Sequence, residues 1–137
     1  MKKNEAFVML ITGGIIYFYM EIAFRGYSHL SMILCGGLCF YITGLCGNYI
    51  LEHTGNIFMS VVKIMLFGAV VITTLEFMTG YVVNVLLHQD VWDYSDEPYQ
   101  IMGQICLPFS MLWSLISLVC VYLYGILDKY IIKGGTK

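Results

Sequence analysis

Four apolar runs, each long enough to cross a bilayer as a helix, limit what this chain can fold into more than any other feature. They occupy residues 6–24, 30–51, 57–87 and 101–127, and about 20 apolar residues suffice to span the hydrocarbon core. Short polar connections separate them: RGYSH after the first, EHTGN after the second and HQDVWDYSDEPY after the third. The expectation is an all-α membrane protein, a bundle of four transmembrane helices forming one domain over residues 1–137. The third run is longer than a span requires, so its first turns are expected at the interface, with Lys63 snorkelling to water.

Composition agrees with that class. Hydrophobic residues make up 59% of the chain and charged residues 12%, about half the share of a soluble protein. The net charge of −2 and the absence of a basic stripe give no reason to propose nucleic acid as a partner. Met1-Lys2-Lys3 ahead of the first run has the look of a signal peptide. No small-residue cleavage site follows, and Glu21 and Arg25 stand at the run's far end, so it is expected to stay as a span. Lys2, Lys3, Lys63, Lys129, Lys133 and Lys137 flank one side of the runs, while Asp90, Asp93, Asp96 and Glu97 crowd a connection on the other. The positive-inside rule then puts both termini and EHTGN in the cytoplasm, of a bacterium on the resemblance given below. Cys35, Cys39, Cys46, Cys106 and Cys120 all lie in apolar runs with no Cys-x-x-Cys pair, which predicts packing residues and not disulfides or a zinc site.

Two carboxylates contradict the apolar surroundings. Glu76 stands inside VITTLEFMTGYVVN and Glu21 inside IIYFYMEIAFRGYSH. At intervals of four, Gly68, Ile72, Glu76, Gly80, Asn84 and His88 share one helix face, as do Gly13, Tyr17, Glu21 and Arg25. The second run offers Cys35, Cys39, Thr43 and Gly47, and the fourth Gly103, Cys106, Ser110, Ser114 and Ser117. Small and polar faces of this kind let helices approach and bond across the contact, so they are expected to turn inward. Both glutamates come out at similar depth, Glu21 about 22 Å from the start of its span and Glu76 about 20 Å beyond Lys63, at 1.5 Å per residue. An ionised carboxylate there costs roughly 2.5 kcal/mol or more unless hydrated or paired, so the pair is expected to line a hydrated or ligand-filled cavity. Arg25, four residues from Glu21, is its expected partner. Glu76 has no cation within helical reach, and Thr79, Asn84 and Ser110 are the candidates to bond it. Leucine in its place, removing the polar cost, is expected to stabilise the fold.

WDYSDEP, residues 92–98, is dense in side chains that stack and bond. Asp93 and Ser95 suit a turn and cap leading into the fourth helix, and Trp92 with Tyr94 suits the interface. The functional reading makes Trp92, Asp93, Tyr94 and Ser95, with His29 and His88 at the span ends, an outer lid over the cavity. The two histidines with Glu21 and Glu76 also make a candidate metal set. A short echo, Glu21 before Gly26-Tyr27 and Glu76 before Gly80-Tyr81, followed by Tyr27-Ser28 and Tyr94-Ser95, suggests two related helical hairpins.

LEFMTGY, then VWDYSDEPYQIMGQICLPFSMLW, with EIAFRGYSH and GGLCF earlier, resembles the bacterial family named as type IV ABC-transporter permeases, and animal four-span proteins of unassigned function are similar in the same places. The resemblance implies a permease-like membrane protein. The chain has no P-loop or nucleotide-binding domain and offers only EHTGN as a cytoplasmic connection, so ATP coupling is not expected. No cofactor is called for. The leading expectation is a small transporter or channel for a cation or small polar solute, with Glu21, Arg25, Glu76, Thr79, Asn84 and Ser110 along its path. Four helices barely enclose a path, so a homodimer is expected, with the small-residue stripe of the second run as its contact. The alternatives are an intramembrane enzyme or lipid-binding protein at the outer leaflet, with Glu76 or His29 as base, and a structural subunit of a membrane complex.

Overall fold

The computed structural model describes residues 3–134; Lys2 and Lys137, which enter the orientation argument, lie outside the described residues. Four helices follow the four apolar runs: α1 over Lys3–Arg25, α2 over Leu30–His53, α3 over Ile57–Gly80 and α4 over Leu107–Leu127. Each is long and apolar enough to cross a membrane, so the chain is an all-α integral membrane protein with a four-helix bundle. The helix starts are written in the connections. Asn56 accepts from the Met59 N–H at the start of α3, and His29 Nδ1 accepts from the Ser31 N–H at the start of α2, each satisfying a donor the first turn leaves free.

α2 is the centre of the bundle. It packs against all three other helices and carries nine buried residues, against four in α1 and four in α4. The α1–α2 contact is made by backbone. A Cβ on Gly14 would stand 2.2 Å from the Ile33 carbonyl oxygen, and one on Gly37 would stand 2.3 Å from that of Leu10. Only glycine permits this approach, the means by which membrane helices gain close packing without a hydrophobic drive. The second-run stripe is used the same way: Cys35, Cys39, Thr43 and Gly47 are all buried within the chain. It is therefore not free to join two copies, and a dimer contact has to use another face. All five cysteines are free thiols.

α3 and α4 form the second hairpin. The buried side of α3 keeps a strict interval of four, Ser60, Ile64, Gly68, Ile72, Glu76 and Gly80. A π-helical turn, Tyr81–Leu86, continues the helix to a total of 30 residues. The wide turn buries the consecutive residues Val83 and Asn84, and the helix then ends, so His88 leaves the stripe and lies exposed with φ +50°. Lys63 is exposed near the other end, with its ammonium 3.4 Å from the Thr54 hydroxyl.

The fourth helix starts later than residue 101. Met102 and Gly103 both take positive φ, Ile101 pairs with Ile105 in an isolated antiparallel bridge, and the helix begins at Leu107 with Pro108 in its first turn. A left-handed backbone cannot continue a right-handed helix, whatever its hydropathy. Gly103 and Cys106 are thus not on the α4 stripe. Gly103 packs under Asp93 and Ser95, and Cys106 is the residue before the first turn.

α1 does not complete the ring. Its one extensive backbone contact is with α2, while α4 packs on α2 and α3. α1 and α4 meet through side chains such as Tyr17 and Trp113, whose ring centroids are 6.4 Å apart.

Candidate functional site

The connection between α3 and α4, residues 87–106, folds back onto the bundle and completes a cavity. Asn84 holds it at one point: its Oδ1 accepts from the Val91 N–H at 2.7 Å and its Nδ2 donates to Gln104 Oε1 at 2.8 Å. Trp92 Nε1 donates to the Gln104 carbonyl at 3.0 Å, and the Tyr94 N–H to the Gly103 carbonyl at 2.7 Å. Gly80 lets the connection press onto α3, since a Cβ there would stand 2.5 Å from Gln104 Oε1 and 2.8 Å from the Trp92 ring. Thus Trp92 is buried and the Tyr94 hydroxyl reaches the interior of the bundle, while Asp93 and Ser95 stay exposed.

Glu76 receives two donors. Its Oε1 accepts from the Tyr94 hydroxyl at 2.8 Å and its Oε2 from Trp113 Nε1 at 2.9 Å. The Tyr94 ring stacks on Phe109, with centroids 4.7 Å apart and planes 11° from parallel, and this fixes the angle of its hydroxyl. Glu21 pairs with Arg25 on its own helix, and its other oxygen accepts from the Ser28 hydroxyl at 2.9 Å. Arg25 also lies over the Tyr27 ring at 5.0 Å. In each hairpin, then, a side chain from the connection reaches back to the glutamate of the hairpin's first helix.

Both glutamates face one cavity of about 290 Å³, with Arg25, Trp92 and Tyr94 in its wall. Tyr17, Met20 and Trp113 continue from it into a smaller space of about 90 Å³, walled by apolar side chains such as Ile16, Phe40 and Leu123. Among the described residues, Arg25 is the one cationic side chain in the wall of the larger cavity, against two carboxylates. Charge balance in the cavity is therefore incomplete when both carboxylates are ionised.

Five of the residues singled out from sequence, Glu21, Arg25, Glu76, Trp92 and Tyr94, meet at this cavity. The others do not line it. Thr79 is half-buried outside it. Ser110 bonds Thr73 across α3 and α4 at 2.8 Å and not Glu76. Asn84 ties the connection down. Asp93 accepts from the Ser95 hydroxyl and, at 2.9 Å, from its N–H; these bonds hold the carboxyl below its ordinary range. They make a turn and not a cap on α4, whose first turn follows Cys106 with no side-chain cap. His29 serves the start of α2 and His88 is exposed, and among the described residues no three His, Cys, Asp or Glu side chains are grouped to hold a metal.

Trp113 and Gln104 escaped the sequence reading. Trp113 carried a signal, an indole donor several residues inside a span and away from the interface where tryptophan usually sits. Gln104 was hidden by the assignment of 101–106 to a helix.

A sequence model of the family described as "Putative ABC-transporter type IV" matches residues 7–134. No curated protein and no solved structure gives a match.

Proposed function

The chain belongs to the ABC-transporter type IV family matched above, and on that premise we propose that it is a small transporter or channel that takes a cationic or small polar solute into the cavity at Glu76. The observation that carries this reading is the imbalance of two buried carboxylates against one guanidinium around a single space. Ionisable groups inside a span are costly to hold and mark solute or proton paths. Glu21 is matched by Arg25 on its own helix; Glu76 has neutral hydrogen-bond donors only, so a charge on it is left for a solute to balance. The orientation that puts the lysine-rich side in the cytoplasm makes this cavity lean outward, and the reading needs no ATP.

Liposomes containing the purified protein test it. Charge movement under a tetramethylammonium or potassium gradient, followed with a voltage-sensitive dye, is expected for the wild type in at least one gradient. Glu76→Gln, which keeps shape and bonding but cannot ionise, is expected to slow it at least tenfold. Equal rates for the two proteins, or no movement above empty liposomes, overturn the reading.

A further inference from the structure

We propose that the occupant of the cavity is a single-chain amphipathic ammonium, its head beside Glu76 and its tail in the apolar continuation, reaching the site sideways from the bilayer between α1 and α4. The inference rests on the reading that Glu76 binds a cation and names the class of cation.

The head is chosen by the walls. Tyr17, Trp92, Tyr94, Phe109 and Trp113 surround the larger cavity with aromatic rings. Aromatic faces attract cations, and quaternary ammonium groups are the cations recognised by such cages. A hard metal ion needs a shell of some six or more oxygen ligands at fixed distance. Here the carboxylate oxygens of Glu76 are already engaged by Tyr94 and Trp113. A soft ammonium asks for no acceptor, only for charge and ring faces, and both are present.

The tail is chosen by continuity. Tyr17, Met20, Met32, Glu76, Trp113 and Ile116 border both spaces, so the apolar one adjoins the space beside the carboxylate. From Arg25 down to Gly13, the α1 residues that bound the two spaces span about 18 Å at 1.5 Å per residue, so an alkyl chain can lie along them, part of it in the apolar space and the rest against the exposed side chains beside it, while about 90 Å³ leaves no place for the paired chains of a phospholipid.

The route is chosen by packing. α1 and α4 lack the close backbone contact of the other neighbours, and the cavity walls on both include lipid-facing side chains. Phe24 is 86% exposed and Leu112 43%, and lower down Val119 is 55% exposed. A molecule dissolved in the bilayer meets the cavity there without crossing the connections at either end.

Tryptophan emission tests the proposal, because the chain has two tryptophans and both line the larger cavity. The full chain in maltoside micelles, at fixed micelle concentration, is titrated with tetramethylammonium, hexyltrimethylammonium, dodecyltrimethylammonium, dodecyl sulfate and phosphatidylcholine. Circular dichroism confirms that the helices persist. A saturable change is expected with dodecyltrimethylammonium, at least tenfold tighter than with tetramethylammonium, with the hexyl homologue between them. Glu76→Gln is expected to weaken it at least tenfold, and dodecyl sulfate to give no saturable change. Equal response to dodecyl sulfate, or an unchanged affinity in Glu76→Gln, overturns the proposal. So does displacement of the ammonium by equimolar phosphatidylcholine, which makes the ligand a membrane phospholipid. Tight, Glu76-dependent binding of tetramethylammonium with no gain from the tail removes the amphiphile and leaves the cation reading standing. An absent response to all five, in a protein whose flux still depends on Glu76, overturns this proposal alone.

Discussion

Glu76 sits between a donor that can reverse and one that cannot. A tyrosine hydroxyl gives or takes a hydrogen bond, whereas an indole N–H only gives. Glutamine at 76 can therefore turn its oxygen to Trp113 and its amide to the Tyr94 hydroxyl, and the fold should keep its melting temperature within a few degrees. Leucine strands both donors in a low-dielectric interior, at about 1–3 kcal/mol for each. This reverses the expectation from sequence that leucine stabilises. Thermal unfolding in detergent is expected to rank Glu76→Gln near wild type and Glu76→Leu clearly below; Glu76→Leu at or above wild type would mean the two donors find other partners. The carboxylate was legible because it interrupts an apolar run, and the Arg25 partner of Glu21 because four residues make one helical turn. Tyr94 and Trp113 were not legible as partners. They lie 18 and 37 residues from Glu76 on other elements, and periodicity along one helix says nothing about which neighbour's ring arrives at its face.

The elements were read well where hydropathy and backbone agree and poorly where they part. α1, α2 and α3 fall on their apolar runs. Residues 101–106 misled because Ile101, Met102 and Ile105 are as apolar as a span, while Met102 and Gly103 adopt a handedness no helix continues. Gly13 and Gly47 were seen on small faces, but Gly14 and Gly37, which make the α1–α2 contact, stand on neither stripe, and no face could be given its partner: α2's stripe could serve a second copy as well as α1 and α4. The role of Gly14 and Gly37 sets a prediction for the hairpin. Gly14→Ala and Gly37→Ala place a methyl against a backbone carbonyl that has no rotamer to move, and overpacking of this kind costs about 1–3 kcal/mol. Gly55→Ala meets nothing within 4 Å. Melting in detergent is expected to fall for the first two and stay level for the third. A level result at Gly14 and Gly37 would show that α1 slides on α2 without loss.

The whole molecule has an acidic connection at one end, with Asp90, Asp93, Asp96 and Glu97, and Lys63, Lys129 and Lys133 toward the other. Class and span number follow from the sequence because lipid leaves few alternatives; the gap between α1 and α4 does not, since it depends on which helices α2 gathers. By the positive-inside rule the lysine bias predicts that the acidic connection faces outward. Asp96→Cys in a background lacking the five native cysteines is expected to react with an impermeant thiol reagent added to intact cells. Reaction only after lysis reverses the molecule, and with it the side from which the cavity opens. The order in which the bonds can form has a consequence for synthesis. Chains leave the ribosome N-terminus first, and Glu21 finds Arg25 within its own turn and Ser28 seven residues later. Glu76 has no such early company. Its helix leaves the ribosome before Tyr94 and Trp113, so a nascent chain interrupted ahead of Tyr94 has neither donor for the carboxylate in its third apolar run, an invitation to slip back out of a bilayer or to be handed to a protease. Trp113, on the last helix to be made, is the later of the two donors to reach the third.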